Sequence, residues 1–228
     1  MAQDIDARTQ DALTWLKRHG TKRNRDGLAR YGIVAPKAFG VSMRDVQALA
    51  KRLGPDHALA LSLWDTGWYE AQLLTAFVAE PARLTAAQMD RWAREMDNWA
   101  VCDTLCFKLF DRSPHAFRKV TQWKTRKEEF VKRSAFALLA SLALHDKASG
   151  DASFLRLLPA IERAATDERN FVKKGVSWAL RSIGRRNAAL HAAAIDTSTR
   201  LAASPAAPAR WIGRDALREL QRRPPKAS

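Results

Sequence analysis

Residues 172–184, VKKGVSWALRSIG, show the pattern that decides the fold class. Their apolar residues recur at three- and four-residue spacing, which places them on one face of an α-helix. The same spacing recurs in residues 84–96, LTAAQMDRWAREM, and no segment shows the sustained alternation typical of a half-buried strand. Because good helix formers dominate the whole chain, the sequence predicts an all-α protein.

Turn signals separate the helical stretches about every 15 to 20 residues. Among them are LGPDH at residue 53, DRSPH at residue 111 and SPAAP at residue 204. Short helices bury their apolar faces when helical pairs stack on neighbouring pairs, so the pattern predicts an α-solenoid that forms a single domain over residues 1–228. A compact helical bundle is the alternative, because no fixed repeat period is visible.

The chain is strongly basic, with 39 Lys and Arg against 24 Asp and Glu among 228 residues and a net charge of +15. A surplus of this size favours a polyanionic partner, above all nucleic acid. Seven cations and two acids lie between residues 117 and 133, and further cations follow between residues 173 and 186. On a solenoid such helix ends line up along one edge or the concave face, where they can follow a phosphate backbone. For any single lysine, a merely solvated position is the alternative.

Several absences narrow the class of protein. The sequence has no apolar run near the roughly 18 residues that span a bilayer, and its first 20 residues lack the apolar core of a signal peptide. The two cysteines, Cys102 and Cys106, have no further Cys or His nearby to complete a tetrahedral metal site. We therefore expect no metal, no cofactor and no membrane partner, and a monomeric cytoplasmic protein that associates with the nucleoid in a bacterium.

Residues 97–106, DNWAVCDTLC, place an indole and a carboxylate four residues apart. Trp99 and Asp103 then lie on one face of a helix, one turn from each other. A tryptophan beside an acid is either packing or part of a functional site. Five other tryptophans are expected to pack in the interior: Trp15, Trp64, Trp92, Trp123 and Trp211.

Three segments resemble the signature segments of the AlkD-like DNA alkylation repair family, whose members are DNA glycosylases built from HEAT-like repeats. They are MDNWAVCDTLC at 96–106, FVKRSAFALLA at 130–140 and FVKKGVSWALRSIG at 171–184. Residues 28–51 and 62–74 are similar to N-terminal segments of the family, so the resemblance covers about residues 28–220. It implies stacked antiparallel helical pairs, the HEAT-like repeats, with a concave basic face that cradles double-stranded DNA.

The resemblance also implies an activity in base excision repair. Family members release positively charged N-alkylated purines, such as 3-methyladenine and 7-methylguanine, without drawing the damaged nucleotide into a protein pocket. A cationic purine is already a good leaving group, so the enzyme has to stabilise the cationic sugar that remains. One carboxylate in a partly dehydrated cleft suffices for this task.

The resemblance assigns catalytic roles to four residues. Asp103 matches the family's catalytic acid, Trp99 and Trp178 match the two aromatic walls of its cleft, and Arg133 matches an arginine near the DNA backbone at the lesion. Tyr31 matches a tyrosine at the N-terminal end of the cleft. The basic surplus adds expected DNA-backbone contacts from Arg181, Arg30, Lys37, Lys132, Lys173 and Lys174.

Alternatives remain open for residues and for function. Asp103 can also be a structural acid, and Arg133 can form a surface salt bridge with Glu129. In place of a glycosylase, the same fold can serve a non-catalytic protein that binds branched or distorted DNA. A protein-binding adaptor is disfavoured by the charge of +15.

Overall fold

A computed structural model of the chain describes residues 2–224, with side chains from Asp4 onward. Every regular element in this range is an α-helix or a 3₁₀ helix, so the prediction of an all-α protein is confirmed. The chain groups into two compact units, residues 1–115 and residues 116–228. A single repeat domain over residues 1–228 stays a prediction.

The N-terminal unit holds seven α-helices and three short 3₁₀ helices in its described part. They are α1 (Ala2–His19), α2 (Lys22–Gly27), a 3₁₀ helix (Leu28–Tyr31), α3 (Met43–Leu53), α4 (His57–Asp65), α5 (Tyr69–Val78), a 3₁₀ helix (Pro81–Arg83), α6 (Ala86–Glu95), α7 (Trp99–Lys108) and a 3₁₀ helix (Phe110–Arg112).

The C-terminal unit holds seven further α-helices among its described residues. They are α8 (Ala116–Trp123), α9 (Glu129–His145), α10 (Ala152–Leu155), α11 (Leu158–Ala164), α12 (Asn170–Ile183), α13 (Ala188–Ala202) and α14 (Ala207–Arg222).

Each unit contains a row of helices that pack on one another although they are not consecutive in the chain. In the N-terminal unit α5 packs on both α3 and α7, and in the C-terminal unit α12 packs on both α9 and α14. Consecutive helices also pack on each other as pairs: α4 packs on α5, and α13 packs on α14. This alternation is the packing expected for stacked helical pairs.

Side-chain caps fix where the helices of the N-terminal unit begin. Ser42, Asp56, Thr85 and Asn98 precede α3, α4, α6 and α7, and each side chain accepts a hydrogen bond from a backbone N–H of the first turn. Thr85 also completes a capping box with Gln88. The start of α7, and with it the direction of the side chains on this helix, is therefore set locally.

Three of the tryptophans expected in the interior are buried: Trp64, Trp92 and Trp123. Trp64 and Trp92 stack with ring centroids 5.0 Å apart. Trp15 is half-buried. The prediction is wrong for Trp211, which is 40% exposed on α14. The ammonium group of Lys173 lies over its ring, 4.9 Å from the ring centroid.

Among the described residues, no helix combines the length and the apolar character needed to cross a lipid bilayer.

Candidate functional site

Helix α7 presents two of the predicted site residues on its less buried face. Asn98 accepts a hydrogen bond of 3.0 Å from the Val101 N–H and so fixes the first turn. One face of the helix is fully buried, including Cys102. Trp99 and Asp103 are half-buried and lie one turn apart beside this buried face. The expected juxtaposition of an indole and a carboxylate is therefore present in the structure, whereas its catalytic role stays a prediction.

The indole of Trp99 is held by a residue that lies 68 positions earlier in the chain. Its Nε1–H donates a hydrogen bond of 2.8 Å to the backbone carbonyl of Tyr31. Tyr31 ends a 3₁₀ helix at Gly32, whose φ of +67° is a left-handed conformation that favours glycine. Tyr31 as a whole is 70% exposed. Three residues of the predicted site, Tyr31, Trp99 and Asp103, thus belong to one connected part of the N-terminal unit.

The two thiols on α7 are structural in character. Cys102 and Cys106 are fully buried and form no disulfide. Burial raises the pKa of Cys106 well above its ordinary value, and the neighbouring Cys102 and Asp103 raise it further. A thiol in this state is a poor nucleophile and a poor metal ligand. No group of three His, Cys, Asp or Glu side chains in the described part of the chain is arranged to hold a metal ion.

A buried carboxylate anchors the segment that follows Tyr31. Glu70 is fully buried and accepts three backbone N–H groups, from Phe39 at 3.0 Å, from Gly40 at 2.7 Å and from Val41 at 3.2 Å. Gly40 cannot carry a side chain here, because a Cβ atom would lie 2.2 Å from the carbonyl oxygen of Thr21. Residues 33–42 are therefore fixed by polar contacts rather than by a helix.

The neighbouring Tyr69 ties this segment to α5 and lies in a low-dielectric setting. Its N–H donates a 2.9 Å hydrogen bond to the carbonyl of Lys37. Burial and the negative charge of Glu70 raise the pKa of Tyr69 to about 12. The ammonium group of Lys37 is exposed and has no ion pair with a described residue.

Arg133, in the C-terminal unit, is buried rather than presented to solvent. Only 5% of it is exposed, and its Nη1 donates a 2.6 Å hydrogen bond to the carbonyl of Phe171 at the start of α12. Gly175 on α12 lies against it, since a Cβ atom at this position would stand in ordinary van der Waals contact with Arg133 Cγ, at 3.6 Å. The observed contacts tie α9 to α12, and the phosphate contact expected from the sequence remains a prediction.

Two of the predicted DNA-binding cations are paired with acids. Arg181 forms ion pairs with Glu219 and, at 3.6 Å, with Asp215, both on α14. Lys132 lies 2.8 Å from Asp167. Arg181 and Lys132 are both partly buried in these pairs, so their charges are largely offset within the unit.

Asp167 sits at the centre of a small ionic network. Hydrogen bonds from Arg169 hold the pKa of Asp167 well below its ordinary value despite partial burial, and Lys132 adds to this effect. Arg169 also donates to the Lys127 carbonyl at 2.6 Å. This network fixes the start of α12, which carries Trp178.

The remaining predicted site residues are more accessible. Trp178 is half-buried on α12. Lys174 is exposed, and neither Lys174 nor Arg30 has an ion pair with any residue that the structure describes. Lys173 lies over the ring of Trp211. Among the predicted DNA-binding cations, Arg30, Lys37 and Lys174 are therefore exposed and have no ion pair with a described residue, and their contact with phosphates stays a prediction.

The charge surplus is divided unevenly between the two units. Residues 1–115 carry 16 Lys and Arg against 14 Asp and Glu, a net charge of +2, whereas residues 116–228 carry 23 against 10, a net charge of +13. The C-terminal unit is therefore the main source of long-range attraction for a polyanion.

Two basic clefts contain residues that the sequence pattern did not single out as site residues. One, of about 230 Å³ in the C-terminal unit, is lined by Lys124 and Arg163 beside the predicted Lys132. The other, of about 380 Å³ in the N-terminal unit, contains Arg23 beside Arg30 and Tyr31. The helical pattern gives no signal for either group, because each cleft is formed by residues from separate helices.

Comparison with known proteins identifies the family. The family model described as "DNA alkylation repair enzyme" matches residues 12–220. Among curated proteins no significant match to the chain was found.

Two solved structures are similar to the chain to different degrees. One belongs to "a new family of proteins related to the HEAT-like repeat DNA glycosylases with affinity for branched DNA structures"; it is 17% identical, with a TM-score of 0.78 over 96% of this chain and 98% of the other. A designed armadillo repeat protein is 14% identical, with a TM-score of 0.34 over 77% of this chain and 91% of the other. The first likeness shows that the chain has the HEAT-like repeat fold, as the helical pattern and the family resemblance predict.

Proposed function

Because the chain belongs to the DNA alkylation repair enzyme family, we propose that it is a monofunctional DNA glycosylase for positively charged N-alkylated purines. Its substrates are 3-methyladenine and 7-methylguanine in double-stranded DNA, which it releases during base excision repair. The observation that carries the proposal is the face of α7, where Trp99 and Asp103 lie one turn apart and the Trp99 indole is hydrogen-bonded to the Tyr31 carbonyl.

The protein does not have to protonate the leaving group in this reaction. When the N-glycosidic bond breaks, its electron pair goes to the cationic purine, which departs neutral, and a cationic deoxyribose remains. The Asp103 carboxylate stabilises this sugar cation and orients a water molecule. Water adds to the anomeric carbon, and its proton passes to Asp103 or to solvent, leaving an abasic site.

Aromatic rings suit such a cationic intermediate. The face of an indole carries negative electrostatic potential and attracts a cation, with a contribution on the order of 1 kcal/mol. Because the hydrogen bond to the Tyr31 carbonyl limits rotation of the Trp99 side chain, little ordering is needed on DNA binding. An equivalent role for Trp178 follows from the family resemblance and is tested by Trp178→Ala.

DNA affinity is proposed to come mainly from the cations without acidic partners. Arg30, Lys37 and Lys174 are available for phosphates, and Lys173 is half-exposed. Arg133 is proposed to act chiefly by holding α12 against α9, through its hydrogen bond to the Phe171 carbonyl.

A non-catalytic DNA-structure-binding protein is the second candidate. The solved structure with the TM-score of 0.78 comes from a family described as having affinity for branched DNA. The same basic surfaces would serve that function without excision.

Release of free base from methylated duplex DNA separates the two functions. The wild-type protein should release 3-methyladenine and 7-methylguanine but not the neutral bases uracil and hypoxanthine, because these require activation of the leaving group. Binding without release would instead select the DNA-structure-binding function. Efficient removal of uracil would contradict the mechanism.

Asp103→Asn tests the role of the acid. We expect it to lower the single-turnover excision rate by roughly 10²-fold or more while DNA affinity changes little. Asp11→Asn, which removes the same charge from an exposed position of α1, is the matched control and should excise at the wild-type rate. Wild-type excision by Asp103→Asn would remove Asp103 from the mechanism.

A further inference from the structure

The N-terminal unit contains a cleft whose chemistry exceeds what duplex binding requires. It lies between α2, the 3₁₀ helix Leu28–Tyr31 and the beginnings of α3 and α5, and its volume is about 380 Å³. Small-molecule sites commonly have volumes of about 300 to 1,000 Å³. Arg23 and Arg30 supply positive charge to the lining, whereas Tyr31, Met43 and Tyr69 supply aromatic and apolar surface.

The two arginines are available for an anion. Both side chains are exposed, and neither has an ion pair with a residue that the structure describes. The acid nearest in sequence, Asp26, is paired with Lys22 at 2.6 Å and with Arg25 at 3.7 Å. A guanidinium group binds phosphate oxygens with two parallel hydrogen bonds, so a phosphate is the natural occupant of this end of the cleft.

The aromatic wall of the cleft is both exposed and held in place. Tyr31 is 70% exposed, and the nearby Val34 is 75% exposed. The Tyr31 carbonyl accepts the Trp99 indole N–H, and the chain turns immediately afterwards at Gly32. An exposed ring on a fixed backbone is a suitable stacking surface for a base.

We propose that this cleft binds one unpaired nucleotide of DNA, as occurs at a gap, a bulge or a branch point. Arg23 and Arg30 bind its phosphate, and the base stacks on the ring of Tyr31. A duplex backbone needs only cations, because its bases remain stacked inside the helix, whereas an accessible ring beside two free cations fits a nucleotide that has left the stack. The inference rests on the DNA binding of the proposed function but does not depend on base excision.

Fluorescence anisotropy on two DNAs of equal length tests the subsite. One is a continuous duplex, and the other contains a short single-stranded gap with 2-aminopurine in it. The wild-type protein should bind the gapped DNA more tightly and change the 2-aminopurine emission. Tyr31→Ala should lose about 10-fold in affinity for the gapped DNA and abolish the emission change, whereas Tyr31→Phe, which keeps the ring face, should retain both.

The arginines are tested by salt dependence on the same gapped DNA. Arg23→Gln and Arg30→Gln should each flatten the slope of log K against log salt by about 0.7, the value for a single-strand phosphate contact. Arg94→Gln removes one exposed, unpaired cation from α6 in the same unit and should leave the preference for gapped DNA unchanged. All of these positions are exposed, so the variants should fold normally.

Equal wild-type affinity for the two DNAs, or equal losses in Tyr31→Ala and Tyr31→Phe, would overturn the subsite. Excision from methylated duplex is measured separately. If no base is released while the gapped-DNA results hold, the glycosylase proposal fails and the nucleotide subsite stands. If bases are released without any preference for gapped DNA, the subsite fails and the glycosylase proposal stands.

Discussion

Glu70→Gln should destabilise the protein strongly, although the change removes only one formal charge. In the wild-type protein Oε1 accepts the N–H groups of Gly40 and Val41, and Oε2 accepts that of Phe39. Glutamine keeps one carbonyl oxygen for Gly40 and Val41 but places an amide NH₂ group against the Phe39 N–H. Two donors then face each other in a buried position.

The size of the effect follows from these three hydrogen bonds. Loss of the bond to Phe39 costs about 2 kcal/mol, since hydrogen bonds to charged groups are worth about 1.5 to 3 kcal/mol. The two remaining bonds lose their charge assistance, at about 0.5 kcal/mol each, which gives a total of about 3 kcal/mol. With a urea m-value of about 2 kcal/mol/M, the unfolding midpoint should fall by about 1.5 M.

Glu80→Gln is the matched control for this measurement. The Glu80 carboxylate also accepts a backbone N–H, from His57 at 3.2 Å, but it is partly exposed and pairs with Arg83 near the surface. We expect a loss of less than about 1 kcal/mol there, because water replaces the weakened contact. Urea midpoints of Glu70→Gln and Glu80→Gln that agree within error would refute the assignment of Glu70 as the anchor of residues 33–42.

Two further results should follow from charge and burial. Lys174→Gln should flatten the slope of log K against log salt for duplex DNA by about 0.9. Arg181→Gln should flatten this slope less and should lower the urea midpoint of unfolding, because it leaves Asp215 and Glu219 without their arginine. Equal slopes for the two variants would contradict this distinction. Burial lowers the pKa of His57, whose two ring nitrogens are buried without a hydrogen-bond partner among the described residues. The unfolded state therefore binds more protons, and the stability should fall as the pH drops below about 6.5, the usual pKa of histidine. The urea midpoint of His57→Phe should lack this pH-dependent component, and an unchanged pH dependence would refute it.

The parts of the fold that depend on local pattern could be predicted from the sequence. Helical periodicity in residues 172–184 corresponds to α12, and the four-residue spacing of Trp99 and Asp103 places both on one face of α7. Both inferences need only the geometry of a single helix. The same reasoning failed for Trp211, because burial depends on what packs against a helix and not on the helix itself.

The electrostatic partners of the site could not be predicted, because they lie far away in sequence. Arg181 has no acid one turn away on α12, yet Asp215 and Glu219 reach it from α14. The Trp99 indole donates its hydrogen bond to the backbone carbonyl of Tyr31, and the Arg133 guanidinium donates one to the carbonyl of Phe171. A count of cations overstates the charge available to DNA wherever such long-range pairs form.

The division of charge between the units connects these observations to function. Residues 1–115, which include the proposed catalytic acid Asp103, carry nearly balanced charges and a net charge of only +2. Affinity for a polyanion requires the opposite, a surplus of unpaired cations, and residues 116–228 carry +13. Changes among the cations of residues 116–228 should therefore act mainly on binding and its salt dependence. If the proposed glycosylase activity holds, changes at the half-buried Trp99 and Asp103 of α7 should act mainly on the excision rate of protein already saturated with DNA.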